Sequence, residues 1–77
     1  MPSPSKPNPE YVALGRALRS LRETAALTQV ALAEQVGIRS QFVSEVERGN
    51  RAPLWLTLRA WLSACGATLH DLADAIE

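Results

Sequence analysis

The sequence predicts a small all-α domain of five helices. Three observations carry that expectation. Apolar residues recur at three- and four-residue intervals, helix-start residues and glycine stops punctuate those stretches, and no segment alternates apolar with polar residues as a half-buried strand would.

The first helix is expected from Pro9 or Glu10 to Thr24. Proline suits a first helical turn, and Glu10 complements the positive end of the helix dipole there. Tyr11, Leu14, Leu18, Leu21 and Ala25 form one stripe for burial, with Arg16, Arg19 and Glu23 on the wet side. Residues 1–9 contain four prolines and no periodicity, so they are expected as a disordered arm. That bounds the domain at residues 10–77.

The second helix should start at Thr28, a good N-cap, and turn Leu32, Ala33 and Val36 inward. Gly37 ends it, where a left-handed residue is usually needed, and Ile38 plugs the turn. A third helix is expected over Ser40 to Arg48, capped by Arg39 or by Ser40, with Val43 and Val46 inward and Gly49 as the stop. Ser40, Gln41, Ser44 and Glu45 lie on the side opposite those valines.

Asn50-Arg51-Ala52 reads as a loop, and Pro53 as the start of a fourth helix. Its buried stripe is Trp55, Leu58, Trp61, Leu62 and Cys65. The two tryptophans, six residues apart, stand about 120° apart around a helix, and both are expected in the core. Gly66 closes that helix. Thr68 caps the fifth, with Asp71 completing a capping box and Leu69, Leu72, Ala73 and Ile76 on its apolar side.

Two short helices joined by a Gly-containing turn, the second with a polar outer side, describe a helix-turn-helix over Thr28–Gly49. Such a second helix fits the major groove of DNA. Composition bounds the alternatives. Seventy-seven residues make one domain with a thin core, and a chain this small usually needs added support. The single cysteine, Cys65, closes no intrachain disulfide, and His70 has no companions for a zinc set, so no metal or cofactor is expected. Self-association is the support that remains.

The formal net charge is zero, against the basic balance common in DNA-binding domains. Its distribution is polarised, however. All eight Lys and Arg lie within residues 1–60 with five acids, while Asp71, Asp74 and Glu77 close the chain. No apolar run approaches the roughly 18 residues of a membrane span. The start lacks a secretory apolar region, so a cytoplasmic setting is expected. One His, one Cys and scattered carboxylates offer no nucleophile–base pair, so no enzyme is expected.

With these residues placed, the chain resembles the lambdoid phage repressor and Cro (XRE-type) family of helix-turn-helix domains. The resemblance spans Leu14 to Ile76. It rests on LGRALRSLRE in the first helix, LTQVALAEQVGI through the second, VSEVERGNRAP after the turn, and the last helix pair punctuated by Gly66. It implies a lambda-repressor-like fold and binding to a double-stranded DNA operator.

By position, the resemblance pairs Arg22 with Glu47 as a structural ion pair. Both lie near apolar stripes, where an unpaired charge would be expensive. It puts Gln29 on a DNA phosphate, consistent with anion affinity at a helix N-terminus. Base readout is expected from Arg39, Ser40, Gln41, Ser44 and Glu45. Gln41 suits adenine and Arg39 suits guanine, while Glu45 would accept from cytosine or orient a neighbouring arginine. Arg39 departs from the family pattern, which has a small capping residue there. Phe42 is expected either against the fourth helix or on a thymine methyl. Arg48, Asn50 and Arg51 fall where the family clamps the DNA backbone, a contact that positions without specifying sequence.

Leu54 and Leu56 are hard to bury once the fourth-helix stripe is committed. With Leu69, Leu72 and Ile76 they are the expected surface of a symmetric homodimer, as family members of this size dimerise through their C-terminal helices. Half-sites would then lie about one helical turn, roughly 34 Å, apart. Restriction-modification controllers share the size and a YIS-like segment, here Phe42-Val43-Ser44; phage repressors and antitoxins are equally small. RNA polymerase or a toxin would be a further partner. An interaction module that keeps the fold without binding DNA is the alternative, favoured by zero net charge and by Glu45.

Overall fold

A computed structural model describes residues 8–76 of the chain. Among them are five helices and no strand: α1 (Pro9–Thr24), α2 (Gln29–Val36), α3 (Ser40–Glu47), α4 (Trp55–Ala64) and α5 (Leu69–Ile76). Residues 1–7 of the expected arm, and Glu77, lie outside the described residues.

The helix starts follow side-chain capping in three of five cases. The Asn8 side chain accepts from the N–H groups of Glu10 (2.8 Å) and Tyr11 (3.4 Å), so Asn8, assigned to the arm, instead caps α1, which starts at Pro9, one of the two expected starts. Thr28 Oγ1 accepts from the Ala31 N–H at 3.0 Å. Thr68 and Asp71 close a reciprocal box, in which the Thr68 N–H donates to Asp71 Oδ2 (2.9 Å) and the Asp71 N–H to Thr68 Oγ1 (3.1 Å). Arg39 and Leu54 occupy the cap positions of α3 and α4 without a side-chain cap bond. Pro53 therefore precedes α4, which begins at Trp55 with Leu54 in the N-cap position. Arg48 follows α3 as its C-cap.

The core takes residues from every helix. Leu18, Leu32, Val43, Val46 and Trp61 are fully buried, joined by Ala17, Ala33, Leu62 and Leu72. Full burial of each large apolar side chain contributes roughly 1.5–3 kcal/mol. Trp61 carries one cost, since its indole N–H is buried without a partner among the described residues. Helix α1 packs on α3 and α5, and α2 packs on α3 and α4.

Gly15 sets the α1–α3 crossing. A methyl group there would meet the Glu47 carbonyl oxygen at 2.9 Å and the Val46 carbonyl oxygen closer still. Gly49 (φ +84°) stops α3 directly beneath the start of α1: its carbonyl accepts from the Asn8 N–H at 3.3 Å, and a Cβ would lie 2.5 Å from a Val12 methyl. The α1–α2 connection uses Ala26 at φ +59°, a left-handed position commonly filled by glycine.

Four expectations are corrected. Tyr11 and Trp55 are exposed, because each lies in the opening turn of its helix, ahead of the point where a neighbouring helix covers it. Ala73 is exposed, and Leu72 is buried at 5% exposure. Helix α5 is only eight residues long and lies against α1, so a narrow strip of it reaches the core. Leu72 is on that strip and is unavailable to a second subunit.

Candidate nucleic-acid interface

The turn between α2 and α3 is fixed by Gly37, at φ +84°. Its N–H and that of Ile38 both donate to the Ala33 carbonyl, at 2.8 and 3.0 Å. With Val43 and Val46 fully buried, α3 presents its opposite side outward. Arg39 and Gln41 are exposed there, whereas Ser40, Ser44 and Glu45 are half-buried. Arg39, Gln41 and Glu45 line one open concavity of about 440 Å³ together with Ile38, Phe42 and Arg51. Ser40 and Ser44 are not among its lining residues.

Glu45 and Arg51 face each other across this concavity, with Arg51 Nε 2.9 Å from Glu45 Oε1. The Arg51 guanidinium carbon also stands 5.8 Å from the centroid of the Phe42 ring, within reach of a cation–π contact. Phe42 in turn packs partly buried against the core. Glu45, expected to read a base, and Arg51, expected on a phosphate, are thus joined by charge and by an aromatic ring. No periodicity links position 45 to 51, because the turn through Gly49 brings them together. The Asn50 N–H donating to the Glu45 carbonyl at 3.0 Å closes that turn. Arg48 is exposed beside it, and Asn50 is half-buried.

Behind the outer side lies a buried ionic network. Arg22 Nε donates to Glu47 Oε2 at 2.7 Å and Nη2 to Oε1 at 2.9 Å, while Nη1 donates to the Leu27 carbonyl at 2.8 Å. Both side chains are almost wholly enclosed, at 10% and 3% exposure. Hydrogen bonds donated to the Glu47 carboxylate push the Arg22 pKa above its ordinary value.

Gln29 joins the same network. Its Nε2 donates to Glu47 Oε1 at 3.0 Å, so in the free protein its amide faces inward. As the first residue of α2, its backbone N–H is one that the helix itself leaves without a partner. An anion at this terminus would be met by the backbone more directly than by the side chain.

Away from this surface, Leu54, Leu56, Leu69 and Ile76 are 79%, 72%, 50% and 42% exposed. Cys65 is half-buried, and burial pushes its thiol pKa up, away from the reactive thiolate. His70 is exposed and lies 3.6 Å from Asp74 on the same side of α5. Among the described residues no group of His, Cys, Asp or Glu is arranged to hold a metal ion, and no helix is long and apolar enough to cross a membrane.

Residues 13–75 match the family model described as a helix-turn-helix domain. Over 60 residues the chain is 35% identical to the HTH-type transcriptional regulator DdrOP3 of Deinococcus deserti; the match takes in 78% of this chain and 46% of that protein. The chain thus spans about half the length of that relative. Among solved structures, the clp gene regulator ClgR of C. glutamicum superposes with a TM-score of 0.83 at 30% identity, covering 94% of this chain and 92% of the other. The restriction-modification controller protein C.AhdI of Aeromonas hydrophila superposes with a TM-score of 0.79 at 29% identity, covering 84% and 98%.

Proposed function

This chain belongs to the helix-turn-helix domain family, and from that premise we propose that it is a transcriptional regulator binding a partly palindromic DNA operator as a homodimer. One observation carries the proposal. The outward side of α3 brings Arg39, Gln41 and Glu45 to a single open concavity, while the opposite side of the same two-turn helix is locked in the core. Side chains so placed meet base edges when the helix enters a major groove.

Within that reading, Gln41 takes an adenine and Arg39 a guanine, with Ser40 and Ser44 as short, adaptable neighbours. The first N–H groups of α2 at Gln29, together with Arg48 and Asn50, hold phosphates. Leu54, Leu56, Leu69 and Ile76 form the contact between two copies, which sets the spacing of the half-sites. The protein acts in the cytoplasm without catalysis, either excluding RNA polymerase from a promoter or touching it; a toxin is the other partner of this class. The relatives named above support regulation.

The alternative is a protein-interaction module that keeps the fold without DNA. Zero net charge favours it, and so does the engagement of Glu45 with Arg51, which neutralises a cation on this surface. Titration of a duplex pool into the protein at rising salt decides between the two. The proposal expects log affinity to fall linearly with log salt, and binding to be lost in the Arg39→Ala/Gln41→Ala double variant. Duplex binding that is absent, or indifferent to that double substitution, would favour the interaction module.

A further inference from the structure

Arg51 lines the same concavity as Arg39, Gln41 and Glu45. Its side chain is 60% exposed and makes two contacts there, one ionic and one with an aromatic ring. Its Nε forms an ion pair with Glu45 Oε1 at 2.9 Å, and its guanidinium carbon stands 5.8 Å from the centroid of the Phe42 ring. Phe42 is itself partly buried against the core. With Nε engaged, the free edge of the guanidinium is the pair Nη1 and Nη2, neither hydrogen-bonded among the described residues. Two parallel N–H donors on a pre-oriented plane match the O6 and N7 acceptors of guanine in the major groove.

We infer that Arg51 is a specificity-determining residue that reads a guanine, with Glu45 as its positioning residue and Phe42 as its platform. This rests on the DNA-binding function proposed above. It gives Glu45 a purpose that its charge otherwise obstructs. A lone carboxylate at a DNA surface repels phosphate, whereas one paired with Arg51 is neutralised and orients the arginine. Orienting a side chain before binding also lowers the entropy lost on contact.

The test uses the duplex sequence that the wild-type protein prefers, with each guanine replaced singly by 7-deazaguanine, which lacks the N7 acceptor. Beside the guanine assigned to Arg39, wild-type affinity is expected to fall on the order of fivefold to tenfold at one further position in each half-site. Arg51→Lys keeps the charge but loses the fork, so it is expected to show no loss at that position while its thermal midpoint stays unchanged. Glu45→Ala should blunt the same loss. A lysine variant with the full wild-type sensitivity to 7-deazaguanine would overturn the inference and make Arg51 a phosphate contact. Unchanged sensitivity in Glu45→Ala would overturn the positioning role. Failure of the underlying DNA-binding proposal is separately visible, because the wild-type protein would then not distinguish its preferred duplex from a scrambled one, and the inference would fall with it.

Discussion

Arg22 and Glu47, twenty-five residues apart, meet edge to edge through two short hydrogen bonds of 2.7 and 2.9 Å. The pair ties the last turn of α1 to the last residue of α3. Through Leu27 and Gln29 it also fixes the start of α2. Both helices of the helix-turn-helix are thereby held against α1 by one carboxylate. Removing it leaves the Arg22 charge enclosed and the Gln29 amide without its acceptor. Glu47→Ala is expected to lose about 3–5 kcal/mol in urea unfolding. The double variant Arg22→Met/Glu47→Leu should recover much of that loss, because no buried charge is then stranded.

Gly15 tests the α1–α3 crossing. Alanine is the better helix former by about 1 kcal/mol in an exposed helix interior. Here its methyl would meet two backbone carbonyls of α3, which cannot swing aside as a side chain would. Gly15→Ala is expected to destabilise by about 1–3 kcal/mol. A gain in stability on chemical unfolding would mean that the helices separate freely at this point.

The Thr68–Asp71 box gives a pH signature. Hydrogen bonds from the Thr68 N–H and hydroxyl hold the Asp71 carboxyl below its ordinary range. A carboxylate with a depressed folded pKa stabilises the fold above its unfolded value, about 3.9. That contribution is lost as pH falls through the folded value. Asp71→Ala should therefore lower the melting temperature at pH 6, and the gap from wild type should close as pH is taken below about 3. A gap that persists undiminished at pH 2 would assign the effect to packing instead.

The proposed subunit contact separates by substitution. Leu54→Glu or Leu56→Glu should leave the fold intact, since both side chains project into solvent in the single chain, and should convert dimers to monomers in sedimentation equilibrium. Dimers retained in both variants would move the contact to Leu69 and Ile76 alone. Leu72→Glu, by contrast, should unfold the domain, because Leu72 lies in the core.

Base readout by α3 has its own outcome. Gln41→Ala should cost on the order of 1–3 kcal/mol at one base step and leave the melting temperature unchanged, since Gln41 is exposed. Affinity that drops equally for every duplex would reassign Gln41 to the backbone.

Much of the fold was legible because its signals are local. Thr28, Gly37, Gly49, Gly66 and the Thr68–Asp71 box each satisfy or terminate a helix end through groups a few residues away. The stripes at Leu18, Leu32, Val43, Val46, Trp61 and Leu62 follow from helical period alone. What escaped depends on how far a neighbouring helix reaches. Tyr11 and Trp55 have the right phase for burial but lie beyond the cover of their neighbours, and Leu72 went inside as the one buried residue of α5. Asn8 was obscured by the prolines around it, although Asn before Pro-Glu is a recognisable cap. At the candidate site, residue identities were readable while their engagements were not. The Glu45–Arg51 pair and the Gln29–Glu47 hydrogen bond both span a tertiary turn, which leaves no periodic trace in the sequence.

The most direct measurement is selection of bound duplexes from a random pool at about 100 mM salt, with the bound fraction sequenced. A regulator of the kind proposed should enrich a two-fold symmetric motif whose half-sites lie near ten base pairs apart, centre to centre. A bound fraction with the composition of the starting pool would contradict sequence-specific operator binding.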